Sequence, residues 1–323
     1  MLDEQTLARG LALTLAETSL AELGQRIDGK VRDSYVGVRD GRRVRTIVTT
    51  DRISAFDVIL GTIPFKGQVL NGIAAHWFKE SAALIPNHLL EVPDPAVSVV
   101  EECEVFPLEM IVRAYMTGRS PTSIWTHYAR GERSYCGHRL PEGLTEHAPL
   151  PAPLITPTTK GRAGEHDELI SADEAIRRAL ATGVEYEQLA AMCLRLFRFG
   201  SERAAARGLI LADTKYELGR RPDGTLVVVD EIHTPDSSRY WFAASHAEAL
   251  QRGGDPRALD KEYVRRWLIE AGYHGDGAPP RLPDEVRVEA ARRYIEIFEL
   301  VTGQPFAPSL EPPAPRIRRN LGL

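Results

Sequence analysis

Residues 208–241 read GLILADTKYELGRRPDGTLVVVDEIHTPDSSRYW, and the reading of this stretch decides the fold. Residues 209–218 and 226–232 are rich in branched and aromatic side chains, and Arg221-Pro222-Asp223-Gly224 between them is turn chemistry, so the stretch predicts two strands joined by a tight turn. Side chains alternate across a strand, which puts Asp213, Lys215 and Glu217 on one face and Ala212, Thr214 and Tyr216 on the other. Folding back at the turn is expected to bring Asp230 and Glu231 near Asp213. Carboxylates crowded around one ammonium are costly to bury unless a cation or charged ligand joins them. Hard oxygen donors without His or Cys suit Mg²⁺, which usually arrives with phosphates. A hairpin with a solvated polar face is the alternative, although the runs ILA and LVVV argue for a buried sheet.

The chain has 323 residues, room for two domains and a large core. Hydrophobic content of 43% and charged content of 26% place it among soluble globular proteins. A net charge of −5, with basic residues clustered only at Arg316, Arg318 and Arg319, makes no electrostatic case for nucleic acid. No apolar run approaches the roughly 20 residues that span a bilayer. Asp3 and Glu4 stand where a secretory signal would be basic, and Cys103, Cys136 and Cys193 match neither a disulfide framework nor a zinc motif. The expectation is a cytoplasmic protein with reduced thiols and no membrane partner.

Working outward, residues 1–24 carry leucines near helical spacing and predict a helix. Residues 29–38 and 43–50 predict strands around an Arg39-Asp40-Gly41 turn, with Lys30 and Arg32 on one face as either a phosphate clamp or an exposed basic edge. DRISAFD at 51–57 reads equally as an ion-pair network or a ligand site. A helix is expected at 71–84. Strands at 97–100 and 109–115 flank Phe106-Pro107-Leu108, read as a connector able to hinge two lobes. TGRSPTS at 117–123 opens a short helix at 124–129 and offers either an anion site or ordinary caps. The polar, glycine-containing loop 158–168 either closes over a ligand or is plain surface. Capping boxes at Ser171 and Thr182 open helices, the second running 185–207. Residues 234–241 read as a loop with Arg239 among hydroxyls, 260–270 and 284–301 as helices, and 305–323 as an extended or loosely docked tail.

These signals converge on ATP·Mg²⁺ with a second phosphorylated or carboxylated substrate. GKVRDSY, DRISAFD, KGQVLN, EMIVRAYMTG, LADTKYELG and DEIHTPDSSRYW occur in the order seen in the SAICAR synthetase family, phosphoribosylaminoimidazole-succinocarboxamide synthases, and the chain resembles that family across residues 25–270. The resemblance implies an α+β, two-lobed fold similar to ATP-grasp enzymes, with a β-rich N-terminal lobe at 1–110 and a larger α/β lobe at 111–323. It implies a ligase joining L-aspartate to carboxyaminoimidazole ribonucleotide (CAIR) in purine synthesis, by way of an acyl phosphate, in a monomer or homodimer. Carried over residue by residue, Lys30 and Arg32 would meet the ATP phosphates, backbone near Phe106 and Leu108 the adenine, and Glu217 and Asp230 both ATP and Mg²⁺. Lys215, Asp213 and Lys160 would be catalytic, with Lys160 and Asp167 on a closing loop. Arg113, Ser120, Asp167 and Arg239 would bind the ribonucleotide. Compact members read TGS where this chain has TGRSPTS, leaving Ser120, Thr122 and Ser123 as alternatives for the phosphate hydroxyl. A small-molecule kinase would share the ATP site, but HRD and DFG signatures are missing. A non-catalytic nucleotide binder would tolerate loss of Lys215, Glu217 or Asp230, and all three are present.

Overall fold

The structure, a computed structural model, describes residues 2–56, 58–161, 167–258 and 262–323. Asp57 of the DRISAFD motif and positions 162–166 of the predicted loop lie outside the described residues. The N-terminal part comprises α1 (Glu4–Gly10), β1 (Gln25–Asp28), β2 (Arg32–Arg39), β3 (Arg42–Thr49), β4 (Arg52–Ala55), β5 (Val58–Thr62), α2 (Lys66–Glu80), β6 (Leu89–Asp94) and β7 (Val97–Glu101). Five of these strands form an antiparallel sheet in the order β1-β2-β3-β7-β6, while β4 and β5 pair as a separate ribbon. The β2–β3 turn takes positive φ at both Asp40 (52°) and Gly41 (75°), the twist that a two-residue hairpin needs and that this residue pair tolerates.

The chain then crosses to a second sheet. Its elements are β8 (Glu104–Tyr115), α3 (Ile124–Ala129), β9 (Ser134–Tyr135), β10 (His138–Arg139), β11 (Pro149–Ile155), β12 (Thr158–Thr159), α4 (Ala172–Arg177), α5 (Gly183–Ala205), β13 (Leu209–Arg220), β14 (Leu226–Val229), β15 (Ser238–Phe242), α6 (Ala243–Arg252), α7 (Glu262–Glu270), α8 (Asp284–Thr302) and α9 (Pro313–Leu321). The order is β11-β8-β13-β14, with β12 also on β8 and β15 also on β13. Tyr216 and Leu218 of β13 are fully buried and share the core with Leu189, Cys193 and Leu196 of α5. That helix starts at the Thr182–Glu185 capping box, both halves of which form. The result is an α+β molecule of two lobes whose sheets face a common cleft.

Four expectations are corrected. Residues 1–24 are not one helix: α1 stops at Gly10, and Leu15 and Leu20 pack into a separate core with Tyr35, Val48 and Val97. Phe106-Pro107-Leu108 is no hinge but the interior of β8, its proline opposite a register shift between Glu217 and Gly219 where a ladder N–H is dispensable. Residues 238–241 are strand, because β13 extends far enough to pair with them. The tail is docked: α9 buries Ile317 in the N-terminal core, and Arg316 grips Asp94 with two hydrogen bonds of 2.8 and 3.0 Å.

Candidate active site

A cleft of about 500 Å³ opens between the two sheets. Its walls include Val31, Ile47, Val100, Val105 and Val229, apolar enough to sandwich a planar ring, and its floor is charged. Alternation along β13 brings Lys215 and Glu217 to the floor, while the register sets Glu109 of β8 opposite Glu217. Lys215 Nζ donates to Glu109 Oε1 at 2.9 Å and to Glu217 Oε1 at 2.8 Å, and Lys160 Nζ donates to the other Glu217 oxygen. From the opposite lobe Arg32 reaches Asp230 and, at 2.5 Å, Glu231. Asp230 has a left-handed φ of 66°, tolerable for aspartate, which turns the chain out of β14. Burial opposes charge here, yet Arg32, Lys215, Lys160 and Arg45 together hold the Asp230 carboxyl below its usual range. By the same balance, Glu217, Asp230 and Glu109 outweigh the burial of Lys215 and raise its pKa. The floor is therefore a lattice in which acidic and basic side chains alternate.

A second pocket, about 300 Å³, lies farther along the same sheet and is lined by Ser120, Ser123, Arg239, Arg265, Arg266 and His147 among others. Asp213 of β13 holds Arg239 from behind. Its Oδ2 accepts from Arg113 at 3.1 Å and from Arg239 at 2.9 Å, and Arg113 also donates to Thr156 at 3.0 Å. Four residues of extended strand separate Asp213 from Glu217, about 13 Å. Ser120 Oγ lies 2.6 Å from Ser123 Oγ, and both line the pocket while Thr122 is not among its walls. Beside them Arg119 joins Glu146 and Asp255, and His147 Nε2 is 3.1 Å from Asp255.

The structure thus gathers Lys30, Arg32, Lys160, Lys215, Glu217 and Asp230 in the cleft, and Ser120 and Arg239 in the second pocket. One placement differs from expectation. Asp230 sits with Lys215 and Glu217 rather than with Asp213, because Glu217 pairs with Val229 whereas Asp213 pairs with Arg239. The side chains of Phe106 and Leu108 turn into the core, as a contact through their backbone allows, and Cys103 and Val105, the alternate residues of the same segment, line the cleft. Asp167 accepts from the Gly161 amide at 3.0 Å. Glu109, Arg45 and Glu102 escaped the sequence reading. Arg45 and Glu102 form a bidentate pair, both bonds 2.8 Å, at the crossing between sheets. Only strand alternation around EMIVR could have nominated Glu109.

The family profile described as SAICAR synthetase matches residues 25–281. The chain belongs to the SAICAR synthetase family. A Bacteroides thetaiotaomicron phosphoribosylaminoimidazole-succinocarboxamide synthase is 47% identical over 281 residues, 86% of this chain and 87% of that protein. One from Legionella pneumophila (strain Lens) is 45% identical over 293 residues, 90% and 92% respectively. The structure of SAICAR synthase from Saccharomyces cerevisiae complexed with SAICAR superposes with a TM-score of 0.79 at 31% identity, covering 91% of this chain and all of the yeast one.

Proposed function

We propose that this chain is an ATP-dependent carbon–nitrogen ligase, condensing L-aspartate with CAIR to give SAICAR, ADP and phosphate in de novo purine synthesis. The observation that carries the reading is β13 itself, which presents Lys215 and Glu217 to one pocket while its Asp213 holds Arg239, a wall of the other. A carboxylate is a poor electrophile, so the carboxylate of CAIR first takes the γ-phosphoryl group and the aspartate amine then displaces phosphate. Lys215 and Lys160 offset the charge of the phosphoryl group in transit. Lys30 and Arg32 hold the nucleotide from the N-terminal lobe, with Cys103 and Val105 beside the base. Ser120, Ser123 and Arg239 take the ribonucleotide phosphate, with Arg113 and Asp213 beneath.

Glu217 and Asp230 offer hard oxygen donors with no His or Cys, the set that fits Mg²⁺. Each is now matched by Lys or Arg, so a triphosphate entering beside them fits better with a divalent cation than without. When bound, Mg²⁺ would neutralise charge on the phosphates. The lobe division belongs to the same proposal, with its boundary moved from residue 110 to Glu102–Cys103, where the chain leaves the first sheet. A cytoplasmic location is also proposed; no helix among the described residues is long and apolar enough to cross a membrane.

Phosphate release by the purified protein with ATP, Mg²⁺ and CAIR, with and without L-aspartate, tests the function. Release requiring aspartate, with SAICAR formed and EDTA abolishing both, supports the ligase. Phosphorylated CAIR accumulating independently of aspartate would replace it with the kinase.

A further inference from the structure

Arg52 is a buried residue of DRISAFD, 8% exposed, and its side chain is not among the cleft's walls. Its guanidinium ties three segments together. Nε donates to the carbonyl of Lys30 at 3.0 Å, and Nη2 to that of Gly29 at 2.9 Å and to Asp33 Oδ1 at 2.7 Å. Nη1 donates to the carbonyl of Ala16 at 2.5 Å. The next carbonyl, of Val31, is taken by the amide and hydroxyl of Thr50 at 3.0 and 2.8 Å. The Gly29 amide closes the turn on Arg32 O at 2.9 Å. Three successive carbonyls are therefore drawn to the side away from the cleft. In a trans peptide the N–H lies opposite the C=O of the same plane. The amides that follow those carbonyls, of residues 30, 31 and 32, are accordingly turned toward the cleft, which residues 29–32 line. Consecutive N–H groups on a concave turn form an anion cradle.

We infer that Arg52 is a positioning residue for nucleotide: by gripping the Gly29 and Lys30 carbonyls from behind, with Thr50 holding that of Val31, it aims the backbone amides of the turn at the phosphates. The inference rests on the ATP-ligase reading above. Asp33, buried and also hydrogen-bonded by Thr18, offsets the guanidinium charge. What Arg52 supplies is thus direction of the turn rather than net positive potential. Lysine at this position keeps the charge beside Asp33 but cannot reach several acceptors at once.

The test uses the full chain as wild type, Arg52→Lys and Thr50→Val. Calorimetry gives the Kd for ADP, steady-state kinetics the KM for each substrate and kcat, and hydrogen exchange the protection of residues 26–36 by ADP. Arg52→Lys is expected to raise the ADP Kd and the ATP KM by about tenfold or more while the KM values for CAIR and aspartate stay within about twofold. It should also lose ADP protection of the turn. Thr50→Val, nearly isosteric, is expected to raise the ATP KM about threefold, since it loses the hydroxyl's bond to the Val31 carbonyl and the weaker one it accepts from the Arg52 amide. A parallel rise of all three KM values, or a fall in kcat with the ATP KM unchanged, would reduce Arg52 to a structural role and overturn the inference. If Arg52→Lys does not fold, an unchanged ATP KM in Thr50→Val overturns it equally. Wild type that binds no ADP would sink the ATP reading itself, whereas tight ADP binding by wild type and Arg52→Lys alike would remove only the part given to Arg52.

Discussion

Glu217 accepts from Lys160 on one oxygen and Lys215 on the other, so its carboxylate joins two cations across the floor of the cleft. Removing its charge while keeping its shape is the sharpest single-residue test. Glu217→Gln is expected to lower kcat at least a hundredfold, roughly the cost of one lost electrostatic contact in a transition state. Circular dichroism should be unchanged, and near-normal turnover would take β13 out of the mechanism. A second prediction concerns stability. His233 is fully enclosed and His88 is buried at the wall of the cleft, and burial depresses the pKa of each from 6.5 to about 3. His88 Nε2 and His233 Nδ1 have no acceptor for an added proton. Unfolding frees both rings to titrate normally, so the unfolded chain binds more protons between pH 6.5 and 3. Their contribution is complete above pH 6.5 and is lost as pH falls through that window, by about 1.4 kcal/mol per pH unit for each ring. Urea denaturation across pH 7 to 4 should show that slope in wild type and a shallower one in His88→Gln. At this scale much of the site was legible: Lys30, Arg32, Lys160, Lys215, Glu217 and Asp230 do share one cleft. Glu109 was not, because its partner Lys215 is 106 positions away and only sheet register joins them.

Among elements, α9 departs furthest from its sequence signal. Five prolines and a basic end read as a loose tail over 305–323, yet the helix plants Arg316 and Asn320 on Asp94, whose side chain is wholly buried. Removing one partner of such a pair leaves a buried charge unmatched, at a cost of about 3–5 kcal/mol. Arg316→Met is therefore expected to shift the urea midpoint markedly downward, and Asp94→Asn together with Arg316→Met to recover part of the loss. A single mutant as stable as wild type would mean that α9 adds nothing to the N-terminal lobe. The helix starts at Ser171 and Thr182, by contrast, were legible because a cap is a contact between residues three apart. The same locality explains the failure at 238–241: hydroxyls and an arginine look like loop until β13 is long enough to pair with them.

For the whole molecule, the cleft requires both sheets, since Arg32 of the first meets Asp230 and Glu231 of the second. Nucleotide that bridges them should stabilise both together. At a hundred times its Kd, ADP with Mg²⁺ is expected to add about 2.7 kcal/mol to the unfolding free energy in one cooperative transition. Two separated transitions, only one of them shifted, would show that the lobes unfold independently and that binding involves one of them alone. The amino-acid sequence by itself determined the alternation of β13, the turn at 221–224 and the helix caps at Ser171 and Thr182, all set by residues within a few positions of one another. Tertiary structure alone decided that Asp230 sits beside Lys215 and not beside Asp213, that Cys103 and Val105 line the cleft while the Phe106 and Leu108 side chains turn into the core, and that Arg52 grips the carbonyls of Gly29 and Lys30. It also decided that the tail is a docked helix. Each of these depends on sheet register or on hydrogen bonds across long stretches of chain, where a shift of one residue exchanges the two faces of a strand and local periodicity carries no record of the partner.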